Sequence, residues 1–310
     1  MSILKTKYIF FYLLVYAVAV LHLHFSFQEP VNNFLTVFFI LGIGFSLVAW
    51  LLTKNLQEPV HKPAFKNEIW FLIVLIIWII FYITYGGTLI NQMLPKEWIA
   101  KEQINSLMIF LRKLLFFVIV PFLIYKTFGF SLDDFGLKNV ALKLFSKKSV
   151  MIFIALSIAA LLFQYFLGNG SKPLRGGQFS SAQLIKGLPF CFLYLLFDAG
   201  LIEEFFFRGL LQSRLSVLLK STTGGIVVSA IIFGLVHAPG LYLRGAASEG
   251  IDEHLPFLFF ASYTIAYMSI AGIFLGVVYS RTKNLWLVMA IHAMVDLFPN
   301  FPDFVRTWHI

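Results

Sequence analysis

Three short stretches place ionisable side chains where the neighbouring residues are greasy: Glu-Glu-Phe-Phe-Phe-Arg at 203–208, Phe-Gly-Leu-Val-His at 233–237 and His-Ala-Met-Val-Asp at 292–296. A charge inside an apolar segment of membrane length costs several kcal/mol, about 2.5–3.5 on insertion scales, so it marks a functional site by default. Helical spacing sorts these residues. Glu204 and Arg208 are i and i+4, share a face and neutralise each other. Glu203 lies about 100° around the helix and is left to face something else. Phe233 and His237, and likewise His292 and Asp296, are each one turn apart. The candidate catalytic residues are therefore Glu203, His237, His292 and Asp296, with Glu204, Arg208 and Phe233 in support.

A buried glutamate is suited to act as general base toward water, with an imidazole holding that water or relaying its proton. A second imidazole can stabilise an oxyanion. Together these serve the hydrolysis of an amide without a covalent intermediate. The same Glu203, His237 and His292 also make a zinc set with an open position for water. Both chemistries use these residue types. A His-Glu-x-x-His zinc motif and a Gly-x-Gly-Asp aspartyl motif are absent, and the Gly-x-Ser stretches at 44–46 and 129–131 lack a following glycine.

The elements that must position these groups follow from composition. Of 310 residues, 59% are hydrophobic and 13% charged, with a mean hydropathy of +0.85. Soluble proteins carry about 25% charged residues. The chain reads as an all-α, polytopic transmembrane helix bundle with eight or nine spans: continuous apolar runs make helices, whereas alternation would make a barrel. Runs of roughly 20 apolar residues fall near 8–25, 34–53, 69–90, 107–128, 149–168, 187–207, 223–243, 257–280 and 285–299, the last being short. The first run, with Lys5 and Lys7 ahead of it and Ala-Val-Ala at 17–19, has features of a signal peptide but reads as an anchor because of its length.

The net charge of +9 is scattered between apolar runs, which points to anionic lipid headgroups and not to nucleic acid. Most Lys and Arg, among them Lys54, Lys62, Lys66, Lys126, Lys138, Lys143 and Arg214, fall on one side if the N-terminus is cytoplasmic. The expected location is a cell membrane with several passes, N-terminus inside. One cysteine, Cys191, rules out an internal disulfide. The connection 126–148 divides the chain into an accessory part, 1–130, with four spans, and a catalytic core, 131–310. Within that connection, Ser-Leu-Asp-Asp-Phe-Gly-Leu-Lys reads as an amphipathic interfacial segment. Asp198, ahead of Ala-Gly, reads as a cap for the following turn, and His22 and His24 as interfacial residues.

In their order, the three motifs resemble those of the CAAX protease and bacteriocin-processing family, also called the Abi family: Glu-Glu-x-x-x-Arg, Phe-x-x-x-His and His-x-x-x-Asn or Asp. The resemblance covers roughly 130–300 and leaves the first four spans unexplained. It implies an intramembrane endopeptidase that cleaves a membrane-associated protein or peptide, with Glu203 activating water, His237 assisting, and His292 with Asp296 stabilising the oxyanion. Glu204 and Arg208 would support the site. It implies no metal; zinc on Glu203, His237 and His292 is the alternative. Position 296 departs from the Asn of the prenyl-protein branch, since an ionised Asp cannot donate to an oxyanion. Two other functions share the scaffold: a catalytically silent bacteriocin-immunity or partner-binding protein, and a proton-coupled transporter. The wealth of Phe, Ile and Lys suggests a bacterial genome rich in A and T.

Overall fold

The computed structural model describes residues 3–56, 61–137, 146–244 and 254–310. Every regular element among them is helical. Among the described residues, nine helices are long and apolar enough to cross a membrane: α1 (Thr6–Phe27), α2 (Val31–Thr53), α3 (Glu68–Met93), α4 (Glu102–Thr127), α5 (Lys147–Leu167), α6 (Ser181–Leu218), α7 (Thr222–Leu243), α8 (Phe257–Thr282) and α9 (Leu285–Trp308). Lipid offers backbone groups no hydrogen bonds, so a helix that satisfies its own is the natural solution for such runs. Large apolar side chains, among them Phe10, Phe25, Val74, Phe166 and Phe190, stay on the outside. Only an apolar solvent accommodates so greasy a surface.

Helices α8 and α9 form the centre, each 61% buried over its most apolar window. The main buried cluster is continuous across the molecule: Leu23, Phe34 and Phe117 from the first four helices join Phe205, Phe274 and Ile291. The N-terminal helices are also tied to the centre by polar contacts. The Tyr12 hydroxyl is 2.9 Å from Ser269 Oγ, and His22 Nδ1 is 2.9 Å from Ser262 Oγ. His24 bonds the Glu29 carbonyl at 3.0 Å. Both histidines thus have local partners.

Several elements differ from the sequence reading. Helix α6 does not stop near 207 but runs to Leu218, which buries Arg214 within it. That guanidinium is bidentate to Glu68 of α3, at 2.5 and 2.9 Å, and lies over the Phe130 ring at 4.8 Å. A charge fully paired in this way no longer demands a loop. Helix α9 likewise passes through Pro299 and Pro302 to Trp308. Beyond the prolines, Phe301, Phe304 and Val305 pack in a second cluster with Cys191 and Leu195 of α6, and this burial outweighs the lost backbone bonds. The 131–137 stretch is a run of turns. Its carbonyls serve as acceptors: Phe135 for the Tyr279 hydroxyl, Gly136 for Leu285 N and Leu137 for Trp286 Nε1. Gly136 has φ +83°, and a Cβ there would lie 2.8 Å from the Lys283 carbonyl, so only glycine suits this approach. Residues 138–145 of the 126–148 connection, with Lys138 and Lys143, lie outside the described residues.

Candidate active site

Helix α6 carries the acidic pair on an unusual backbone. Two π-helical stretches, Leu196–Leu201 and Phe205–Gln212, flank a single α turn at Ile202–Glu204. Each π turn inserts a residue into the helix and changes which side chains share a face, a device that recurs at functional sites. Every residue from Phe205 to Gln212 is buried. Gly200 lets α9 come close, since a Cβ there would lie 2.9 Å from the Met289 carbonyl oxygen. That close approach brings His292 to the acidic pair.

Glu203 has two imidazoles as neighbours, from two other helices. Its Oε2 is 3.8 Å from His237 Nε2 on α7 and 3.9 Å from His292 Nε2 on α9. These gaps are too wide for direct hydrogen bonds. Glu203, His237 and Asp296 are 23%, 28% and 31% exposed, against 6% for His292. The site therefore opens on the Glu203 side.

The tautomers follow from the outer partners. His237 Nδ1 bonds the Phe233 carbonyl at 2.6 Å. A carbonyl only accepts, so Nδ1 carries the hydrogen and Nε2 faces Glu203. His292 Nδ1 is 2.6 Å from Glu204 Oε1, and Nε2 is 3.3 Å from Asp296 Oδ2. Both nitrogens of this ring face carboxylate oxygens.

Glu204 and Arg208 form the expected pair, with Nη1 3.0 Å from Oε1 and exposures of 0 and 1%. The guanidinium also lies over the Phe233 ring, 4.3 Å from its centroid, a cation–π contact strengthened by desolvation. Phe233 in turn meets His237 edge-on at 4.8 Å and His292 at 6.3 Å. One aromatic ring thus neighbours the arginine and both imidazoles. Glu204 Oε2 and Arg208 Nη2 find no hydrogen-bond partner among the described residues.

All seven residues singled out from the sequence meet here, from α6, α7 and α9. Asp198 also comes near, but not as a helix cap. It sits inside the first π stretch, and its Oδ2 accepts a 2.7 Å bond from Lys113 of α4. Nothing in the sequence pairs Lys113 with Asp198, which lies 85 residues away. Among the described residues no group of three His, Cys, Asp or Glu stands ready to hold a metal ion.

Residues 185–298, which include all three motifs, match the family model described as type II CAAX prenyl endopeptidase Rce1-like. No curated protein and no solved structure matches the chain. The family expected from the three motifs is thus the one whose model matches residues 185–298 of this multi-pass membrane protein.

Proposed function

We propose that the chain is an intramembrane endopeptidase in which Glu203 activates water for attack on a peptide bond of a membrane-associated polypeptide. The observation that carries this reading is the placing of one carboxylate oxygen 3.8 and 3.9 Å from two imidazole nitrogens on separate helices. Polar groups held at such a distance are commonly bridged by water. With Nδ1 protonated, His237 Nε2 is an acceptor, as is the Glu203 carboxylate. A water between them donates one hydrogen to each and turns a lone pair toward the substrate. As its oxygen bonds to the carbonyl carbon, Glu203 takes the proton and the carbonyl oxygen becomes an oxyanion. His292, held between Glu204 and Asp296, then presents an N–H to that oxyanion. Collapse breaks the C–N bond, and the proton on Glu203 passes to the departing amine. No metal enters this cycle, so chelators leave the rate unchanged.

Asp296 acts through His292 in this reading, because its Oδ2 faces the ring and an ionised carboxylate has no hydrogen to donate. Substrates are polypeptides whose cleavage site reaches the bilayer, since the catalytic groups sit on membrane-spanning helices. The test is cleavage of a quenched fluorescent peptide bearing an S-farnesyl cysteine near its C-terminus, by protein in nanodiscs. Glu203→Gln and His237→Ala are expected to lose cleavage by about a hundredfold or more while remaining folded. Full activity in both would refute the proposal.

A further inference from the structure

Helix α4 lies outside the matched domain yet runs beside the catalytic helix. Three contacts join the two in the same chain direction: the Ser106 and Tyr194 hydroxyls at 3.0 Å, Lys113 and Asp198 at 2.7 Å, and the rings of Phe117 and Phe206 at 5.7 Å. The middle contact is double. Lys113 Nζ donates to the Asp198 carboxylate and, at 3.2 Å, to the Asp198 backbone carbonyl. That carbonyl belongs to the π-helical stretch Leu196–Leu201, immediately before the turn that carries Glu203 and Glu204. Lys113 is 25% exposed and Asp198 14%, so the pair is partly sheltered and its geometry holds two long side chains in one arrangement. The ammonium is also within electrostatic range of the Glu203 carboxylate.

A π stretch is a poorer helix than its neighbours and tends to relax to the α form. Something must hold it, and a cation gripping both the side chain and the main chain of one residue does so. We propose that Lys113 is a positioning residue of the site. It clamps the π turn at Asp198, so that the helix bearing Glu203 is set by the N-terminal helices and not by the matched domain alone. The proposal rests on Glu203 as the base for its catalytic consequence, but its structural part stands apart from that reading.

The experiment combines hydrogen exchange and kinetics on the full chain in nanodiscs. Lys113→Met is expected to speed amide exchange in peptides covering 196–204 by about tenfold, with peptides from α9 unchanged. Lys113→Arg keeps the charge and is expected to keep the protection. Asp198→Asn spares the main-chain contact and gives a smaller effect. The double variant is no worse than Lys113→Met, because the two side chains act as one unit. On the farnesylated fluorescent peptide, Lys113→Met lowers kcat by about tenfold with little change in KM, as misplacement of a catalytic group does. Unchanged exchange at 196–204 in Lys113→Met overturns the clamp. Faster exchange with unchanged kcat overturns its catalytic role. If the wild-type chain itself leaves the peptide intact, the proposed function fails on that substrate, and exchange still decides the clamp.

Discussion

At the residue scale, the site is a division of labour between two adjacent glutamates. Glu203 faces the opening and two imidazole Nε2 atoms; Glu204 is fully buried and spends one oxygen on both Arg208 and His292. Helical spacing predicted the first pairing of Glu204 but not the second, because His292 is distant in sequence and reaches Glu204 only through packing. Glu204→Gln is expected to keep the volume but lose the charge that faces Arg208, leaving a buried guanidinium unpaired. The cost is about 3–5 kcal/mol, read as lower thermal stability together with lost cleavage. Asp296→Asn makes the opposite case. An amide oxygen still accepts from His292 Nε2, so cleavage is expected to survive within about tenfold across pH. A collapse of activity in that variant would mean that position 296 supplies a proton. Away from the membrane, His61 is held down to about 4 by burial, then by the charges of Lys283 and Arg214. Its folded value lies below its unfolded one, so the unfolded chain binds more protons between them, and stability falls as pH drops from about 6.5 toward 4. His61→Gln should flatten that part of the stability–pH curve.

At the element scale, the decisive feature is the broken regularity of α6. Motif spacing assumes an ordinary α-helix, yet most of 196–212 is π-helical, and neither the composition nor the spacing of these residues announces it. By sequence, Asp198 ahead of Ala-Gly reads as a cap for the following turn. What the glycine provides is contact, since Gly200 has the Met289 backbone against it. Gly200→Val is expected to push α9 outward, destabilise the fold by about 1–3 kcal/mol and weaken the Glu204–His292 bond. The checks are a thermal melt and the imidazole resonance of His292. The ends of α6 and α9 were misjudged for one reason: Arg214 and the two prolines look like terminators locally, and only Glu68 of α3 and the α6 surface show why the helices continue.

At the scale of the whole molecule, the apolar exterior and the small polar interior are one design. Each of α6, α7 and α9 carries a polar stripe that lipid would penalise, and the three stripes avoid lipid by meeting. The first four helices enter the same buried cluster, and α4 and α3 supply Lys113 and Glu68 as partners for charges on α6. Glu68→Gln is expected to strand Arg214 in the interior and lower the melting temperature, whereas Glu68→Gln with Arg214→Met should recover much of it. Equal losses in the single and double variants would show that the pair contributes nothing beyond packing.

Sequence alone determined the solvent, the helical class, the spans to within a few residues at most ends, and the identity of the ionisable groups that cluster. These depend on local composition and on the cost of leaving charge in hydrocarbon, both of which are properties of short stretches. Tertiary structure alone decided which group faces which. The Glu204 carboxylate on His292, the approach of Glu203 to both imidazoles, the Phe233 ring against Arg208 and His292, and the grip of Lys113 on Asp198 all join residues far apart in the chain. Such contacts depend on backbone approach and helix irregularity, and neither leaves a mark in residue type or spacing.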